Sequence, residues 1–599
     1  MRIRKILIEN LRSIVSSGEI PVHNLMALVG ENNAGKSNTL LAVSAFLTGG
    51  AGGLKPEDFN NQEAPVRIRI TFGDLTEFER RRWRKYLTAE QLILEKKLFI
   101  ETDTDTGAKR VKAEYHGYEG EPAEWFLSIE GVIQRHGDRP KWVEIVASEN
   151  LPEYFLEDGK CNKSIYTKAL DRYVEENEVE YGAPDLSATH ALGLQSKVIA
   201  SLPAFYLLPA ITDYSGEIDK RQKSSTFRRL MGELSERILR NDPRFGEIEE
   251  ALGKVSALLN SLSTEGPPNR LESLGRIETQ IGGLLQELMP SVSSVGLSVE
   301  VEELKDMFSS GVSLTVNDGV ETDVLAKGHG LQRCIVFSLL RTLIDTERVD
   351  HGQTGRGSRS IILGIEEPEL YIHPQLSKLF YDVMRAFGDS DQIIYTTHSP
   401  LFVNAYNYQE VAIASKATVE QGTKIKTAPY GLFDDLEEAK VFKGLSRFNA
   451  SVNELFFAKK VLVVEGPEDL IAITSTLAKL GIIRNRTEEI TWTVLVAGGK
   501  ESIPFFQRVM NAFDITYSVL HDTDVLPNTP PQVAEGWQRT NAAIAALAGA
   551  RPVHTFPHKL ETTLGLTDHL KDQYRATQYF SDPANINADL ETIVTGIFA

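Results

Sequence analysis

From Leu25 to Leu47 the chain runs from an apolar stretch, Leu25-Met26-Ala27-Leu28-Val29, through Gly30-Glu31-Asn32-Asn33-Ala34-Gly35-Lys36-Ser37, into an apolar segment with helical spacing. This order constrains the fold more than any other feature. A buried strand that feeds a helix through a glycine-rich turn is the opening of an α/β unit, and the GxxxxGK[ST] spacing makes the turn a phosphate cradle. Glycines let backbone amides curl around a phosphate, and the helix N-terminus adds positive potential. The reading assigns nucleotide contact to Gly30, Asn32, Asn33, Gly35, Lys36, Ser37 and Asn38. Lys36 would reach the β- and γ-phosphates of ATP and Ser37 would ligate magnesium. A chance match in a turn is the competing explanation, and both flanks speak against it.

Three further features lie far downstream. Ile361-Ile362-Leu363-Gly364-Ile365 is an apolar strand that delivers Glu366 and Glu367 at its C-terminal end. That is the edge where α/β sheets bind ligands. Glu366 would hold the magnesium, directly or through water, and Glu367 would polarise the attacking water. Ile393-Ile394-Tyr395-Thr396-Thr397 leads to His398, placed to sense the γ-phosphate. Lys327-Gly328-His329-Gly330-Leu331-Gln332-Arg333 opens an apolar helix and makes a second phosphate-ready surface through Gly328, Gly330 and Gln332. Taken singly, a lone histidine after a strand is more often structural, and a glycine-rich loop is more often only a helix start.

In this order the set resembles the ABC ATPase head of the SMC/RecF-like class, and Asn10-Leu11-Arg12-Ser13-Ile14 matches the opening strand of that class. The resemblance implies that the signature loop of one subunit closes on ATP held by the P-loop of another, so a homodimer or higher homo-oligomer is expected. It implies head segments at 1–213 and 291–440, split by a helical insertion at 214–290. The insertion is too short for a long coiled-coil arm and is expected to be a compact dimerisation element. Apolar spacing supports helices there, with Leu230, Leu234, Ile238 and Leu239 on one face and Ile248, Leu252, Val255 and Leu259 on another. Glu265-Gly266-Pro267-Pro268 breaks them into a hairpin. Glu366 stands where most of the class carries aspartate.

A second α/β stretch, 450–599, holds a different constellation. Val461-Leu462-Val463-Val464 runs into Glu465-Gly466-Pro467-Glu468-Asp469, and Ser518-Val519-Leu520 into His521-Asp522-Thr523-Asp524. Pro467 suits a helix start, so Glu465 and Asp469 project towards one strand end. Asp522 and Asp524 alternate and can face one way. Oxygen ligands at strand ends suit magnesium or manganese, and two such ions could act on a phosphodiester. Carboxylates that merely cap helices and turns are the bland alternative.

The pattern resembles a TOPRIM domain. Behind an ABC head it makes the whole chain resemble an OLD-family (overcoming lysogenization defect) nuclease. By that resemblance Glu465, Asp469, Asp522 and Asp524 carry the metals, with Glu468 as a rival to Asp469. A lysine near the scissile phosphate is also implied; Lys571 is the candidate and Lys559 the runner-up. Gly498-Gly499-Lys500 either shapes the site or is only a turn. The implied activity is ATP-regulated, divalent-metal-dependent DNA cleavage or nicking in antiphage defence, with a helicase or retron as a further partner. An ATP-switched binding or assembly subunit is the alternative. A topoisomerase would need a nucleophilic tyrosine on a separate domain, and Tyr574 and Tyr579 have no such domain around them.

Composition narrows the rest. At 599 residues the chain exceeds one ordinary core. Its net charge of -19 excludes a uniformly basic coat for nucleic acid but allows a local DNA path. The basic run from Arg80 to Lys85 reads as a solvated helix face. Two cysteines, Cys161 and Cys334, stand far apart, which argues against a zinc site and fits a cytoplasmic protein. No apolar run is long enough for a bilayer, and Glu9 and Arg12 interrupt any signal-like start. Residues from about 100 to 195 are charged and carry no clear period.

Overall fold

The computed structural model describes the chain except residues 104–106, 178, 180–181, 183–184, 188–194, 211–243, 261–270, 289–313, 355–359, 390, 417, 419, 430, 434–435, 449, 484–491, 527–528, 568–569, 571 and 599. The chain divides into two compact units, one of Met1–Ala210, Arg359–Glu369 and His373–Ala599, the other of Ile211–Ser358 and Leu370–Ile372.

Among its described residues the first unit contains three sheets. An antiparallel sheet runs in the order Ile14–Ser16, Arg2–Leu11, Val66–Gly73, Gln91–Thr102, Lys109–Glu119, Asp185–Leu186. A six-stranded sheet runs Ala204–Leu208, Ile361–Glu366, Gln392–Thr396, Leu25–Gly30, Val411–Ser415, Lys424–Thr427, parallel except at its last pair. Both bury apolar side chains against the helix Lys36–Leu47. Ile3, Ile6 and Ile8 come from the first sheet, Met26, Leu28, Ile362 and Ile394 from the second, and Leu40, Val43 and Phe46 from the helix. Leu25–Gly30 is buried on both faces, as a central parallel strand must be, whereas Val66–Gly73 keeps Arg67 at the surface.

The Thr76 capping box forms: Glu79 N donates to Thr76 Oγ1 at 3.3 Å and Thr76 N to Glu79 Oε2 at 2.8 Å. The helix behind it is shorter than the basic run suggests. It covers Glu77–Trp83 and tightens into a 3-10 turn at Arg84–Tyr86. The stretch without a clear period contains the two long strands Gln91–Thr102 and Lys109–Glu119, then short helices around a satellite core of Val132, Ile145, Phe155 and Tyr166.

The third sheet, Thr493–Val496, Val461–Val464, Tyr517–Asp522, Val553–Phe556, is parallel throughout. Its core gathers Leu462, Val464 and Leu520 with Ala472, Ile473 and Leu477 of the helix Pro467–Lys479 and with Leu590 and Val594 of Ala588–Phe598.

The second unit carries the helices Phe245–Asn260, Glu272–Leu288 and His329–Thr354 and a small hairpin, Thr315–Asn317 with Glu321–Asp323. Ile248, Val255 and Leu258 on the first helix, and Ile277 and Ile281 on the second, remain exposed. Leu230, Leu234, Ile238, Leu239 and the Glu265–Pro268 break lie outside the described residues. Among the described residues no helix is long and apolar enough to cross a membrane.

Candidate functional site

Leu25–Gly30 lies between Gln392–Thr396 and Val411–Ser415 with all three parallel, so their C-terminal ends open on one edge. Gly30 sits at φ 133°, and a Cβ there would strike the Ala414 carbonyl of the next strand. Gly35 caps the helix at φ 102°, and a Cβ there would strike the Thr423 side chain. The two glycines are required by backbone angle and by contact.

A cavity of about 460 Å³ opens at this edge, lined by Asn32, Asn33, Gly35, Lys36, Ser37, Asn38, Glu367 and His398. Arg12, Ser13 and Lys416 complete its wall. Gly30 and Glu366 are not on the wall; Glu366 Oε2 instead accepts from Ala210 N at 3.0 Å. Lys36 Nζ donates to the carbonyls of Gly30 at 2.9 Å and Glu31 at 2.8 Å. Burial lowers its pKa, against the opposing pull of Glu367 and Glu369. A phosphate offers this ammonium a stronger, charged acceptor than the two carbonyls do. Glu367 takes a left-handed φ of 45°, and its Oε1 lies 3.9 Å from His398 Nε2. Glu369 secures the histidine loop, accepting from His398 N at 2.6 Å and Thr397 Oγ1 at 2.9 Å.

The signature residues belong to the second unit. The Gly328 carbonyl accepts from Leu331 N and Gln332 N as the helix His329–Thr354 begins. A Cβ on Gly330 would come within 2.5 Å of the Tyr371 carbonyl. Gln332 is buried and donates Nε2 to Val324 O at 3.1 Å and Lys327 O at 2.8 Å, which holds the turn before the helix.

The third sheet builds a second centre. Val461–Val464 and Tyr517–Asp522 are parallel neighbours, so Glu465 and Asp522 leave the same edge. Asp522 N donates to Glu465 Oε2 at 3.3 Å, and Asp522 Oδ1 accepts from Leu560 N at 3.1 Å. Pro467 starts the next helix, and Asp469 Oδ2 accepts from Gly466 N at 2.9 Å, a capping contact within the turn. A cavity of about 580 Å³ is lined by Glu465, Glu468, Asp469, Gly498, Gly499, Asp522 and Glu561. Asp524 turns aside at φ 57°, and its Oδ2 accepts from Lys500 Nζ at 2.6 Å while its Oδ1 stands 3.7 Å from Lys559 Nζ. Lys500 is only 1% exposed and also donates to the Asp522 carbonyl at 3.0 Å. Lys571 lies outside the described residues.

The electrostatics of this centre are strained. Burial, then the neighbouring Asp469, Glu465 and Asp524, push the Asp522 carboxyl up to about 8. Burial raises Asp469 to about 7, and burial followed by Asp524 raises Glu465. Among the described residues no three His, Cys, Asp or Glu side chains already stand as a set that could hold a metal ion. The donors nevertheless fit a divalent ion in kind. They are all oxygens and mutually repelling, with Asp469 buried and Glu465 and Asp522 half-buried, and a hard cation would compensate them.

From sequence alone Arg12 stood only as part of the opening strand, and Lys416, Glu369 and Glu561 were not singled out. Lys416 follows Val411–Ser415, and only the pairing of that strand with the P-loop strand brings it to the cavity. Glu369 had no motif to mark it.

A P-loop head in front and a parallel sheet with strand-end carboxylates behind define an ATPase–TOPRIM protein. Residues 1–403 match the AAA ATPase domain family, and residues 456–524 match the overcoming lysogenization defect protein-like TOPRIM domain. The chain therefore belongs to the AAA ATPase domain family, whose domain is followed by an OLD-like TOPRIM domain. It is 30% identical over 266 residues to an OLD nuclease of Thermus scotoductus, covering 42% of this chain and 48% of that one. It is 24% identical over 536 residues to the Old nuclease of Escherichia phage P2, covering 88% and 78%. It is 22% identical over 277 residues to the endonuclease GajA of Bacillus cereus, covering 44% of each. The match thus spans about half the length of the Thermus and Bacillus relatives.

Proposed function

We propose that the chain is an ATP-regulated, divalent-metal-dependent DNA endonuclease or nickase. The observation that carries this reading is the meeting of Glu465, Asp469 and Asp522 on one cavity at the C-terminal edge of a parallel sheet, with Asp469 and Asp522 pushed up to about 7 and about 8 and Glu465 raised as well. Glu465, Asp469 and Asp522 would hold magnesium or manganese, with Asp524 joining once it leaves Lys500. The ions, two in the fullest form, would supply an activated water and stabilise the leaving oxygen. Lys571 would meet the scissile phosphate, with Lys559, whose Nζ stands 3.7 Å from Asp524 Oδ1, as the alternative.

At the other centre Lys36, Ser37 and Asn38 would bind ATP, Glu367 would orient water and His398 would read the γ-phosphate. Glu366, whose Oε2 accepts from the Ala210 amide, would offer its other oxygen to the magnesium. Pairing of heads through the signature Gly328, Gly330 and Gln332, with the insertion at 214–290 as the dimerising element, belongs to the same proposal. So do the segments 1–213, 291–440 and 450–599, an antiphage role with a helicase or retron partner, and a cytoplasmic site. The reading draws support from relatives named as nucleases.

One observation favours a second reading, an ATP-switched binding subunit that does not cleave: Lys500 already occupies Asp524 as a counter-ion. Nicking of supercoiled plasmid with magnesium or manganese decides between them. Cleavage by wild type that is lost in Asp522→Ala, and whose ATP response changes in Lys36→Ala, is the expected result. A wild type inert with both metals, with and without ATP, would leave the binding subunit.

A further inference from the structure

Beside the carboxylate centre, and outside it, lies a separate hollow of about 430 Å³ lined by Glu501, Val533, Gly536, Trp537, Arg539 and Thr540. Its floor is the helix Pro531–Ala548, which Asn541 ties to the metal-side loop by donating Nδ2 to the Thr523 carbonyl at 3.0 Å. Trp537 is half-buried, and Lys500 Nζ stands 4.5 Å from its ring centroid. The same Nζ grips Asp524 at 2.6 Å. A single buried lysine therefore joins the tryptophan to the carboxylates.

Four features give this hollow a ligand chemistry. A tryptophan ring on a wall of an open hollow is a stacking platform, and stacking on a base is strong and tolerant of sequence. Gly536 leaves room beside that ring: a Cβ built there meets nothing within 4 Å. Its place inside a helix, where alanine would be about 1 kcal/mol better, makes the gap costly to keep. Arg539 is exposed, with Nε donating weakly to Glu535 O at 3.4 Å, so the rest of its fork remains at the rim for a phosphate. Glu501 and the Thr540 hydroxyl add acceptors suited to the edge of a base.

Resting on the reading of the chain as a DNA-cleaving enzyme, we propose that this hollow takes an unstacked nucleobase of the substrate strand, seated on Trp537, next to the phosphate presented to the carboxylate centre. A base held there fixes the strand at a set distance from Asp522. Lys500 then serves both sides, as a cation under the ring and as the partner of Asp524.

The test uses the full chain in an Asp522→Asn background, so that DNA is bound and not cut. Binding of a fluorescent single-stranded oligonucleotide is compared for that parent and for added Trp537→Ala, Trp537→Phe and Gly536→Leu. Loss of about tenfold in affinity is expected for Trp537→Ala and for Gly536→Leu, which fills the hollow without removing any group, with most affinity kept in Trp537→Phe. An oligonucleotide of abasic residues should bind the parent and Trp537→Ala alike. Equal affinity of all variants for the normal oligonucleotide overturns the proposal, as does an equal loss on the abasic strand. Plasmid nicking by the enzyme with Asp522 intact is run beside it. If that enzyme nicks DNA while Gly536→Leu and Trp537→Ala change nothing, only the hollow is wrong; if it neither nicks nor binds DNA, the functional reading fails first.

Discussion

The two centres of the first unit are built on the same plan, parallel strands whose C-terminal ends meet at a glycine turn, yet they handle charge in opposite ways. At the nucleotide cavity Lys36 has two backbone carbonyls to donate to, and Glu367 and Glu369 stand near it. At the carboxylate cavity the acids crowd one another. Lys500 reaches Asp524, whereas Asp469 and Asp522 have only backbone amides and their own repulsion. At the first site the charged groups have partners of opposite sign or backbone acceptors. The second is under electrostatic load that a divalent ion would relieve. Ligand binding should therefore alter the second centre more than the first.

The largest expected effect follows from that load. Asp522 is held near 8 when folded and titrates near 4 when unfolded, so between those values the folded chain binds the additional proton. Its contribution to stability is fully present below about pH 4 and is lost as pH rises towards 8. Metal-free protein should therefore lose on the order of a few kcal/mol across that window. Asp522→Asn should flatten the loss. Metal must displace the same protons, so magnesium or manganese affinity should climb up to pH 8 and level off above it. Thermal melts at several pH values, with chelator and with metal, check this. Wild type and Asp522→Asn with the same pH slope would remove the claim that this centre is strained.

The head carries a buried charge of the opposite sign. Lys96 lies inward beside Leu92, Leu94 and Leu98, and its Nζ donates to the carbonyls of Ala45 at 2.5 Å and Thr48 at 2.8 Å, at the end of the P-loop helix. Tyr115 donates to the Phe46 carbonyl there, and its ring lies 4.8 Å from the ammonium. Burial lowers Lys96 to about 7. Its stabilising share is full above about pH 10.4, the ordinary lysine value, and is lost as pH falls through 7, the reverse of Asp522. Lys96→Met keeps the bulk and removes the donor. It should cost roughly 1–3 kcal/mol for the carbonyls left without it and should loosen the helix that positions Lys36. Urea unfolding together with nucleotide affinity measures both. An unchanged midpoint would mean that the helix end needs no cap.

Lys96 also shows what hid part of the fold from the sequence. Strand Gln91–Thr102 alternates as a half-buried strand should, but one inward position holds a lysine and its neighbour Glu95 is buried against Arg69, so the period reads as broken. The P-loop strand, Ile361–Glu366 and Val461–Val464 were legible because they are buried on both faces and end in residues whose chemistry needs a strand end. The carboxylates of the second centre were legible by spacing. Gly498-Gly499-Lys500 stayed open between a site element and a turn, because only tertiary packing places Lys500 against Asp524 and Trp537. Arg12 and Lys416 come to the nucleotide cavity from strands far apart in sequence, where no local pattern records the meeting.

The smallest expected effect concerns whether the two centres are independent. Glu31, the second residue of the P-loop, pairs with Lys459 at 2.9 Å, and Lys459 stands just before the strand that delivers Glu465. Lys36 Nζ donates to the carbonyl of that same Glu31, so a phosphate that draws Lys36 away also releases the backbone behind the pair. Both partners are largely exposed, at 80% and 61%, which caps the pair at under about 1 kcal/mol in physiological salt. A double-mutant cycle of Glu31→Ala and Lys459→Ala, read in nucleotide affinity with and without saturating metal, should give a coupling of that size that fades at high salt. A coupling that survives high salt would place the communication in buried contacts between the P-loop strand and the residues before Val461. No coupling at any salt would mean that this pair relays nothing between the two centres.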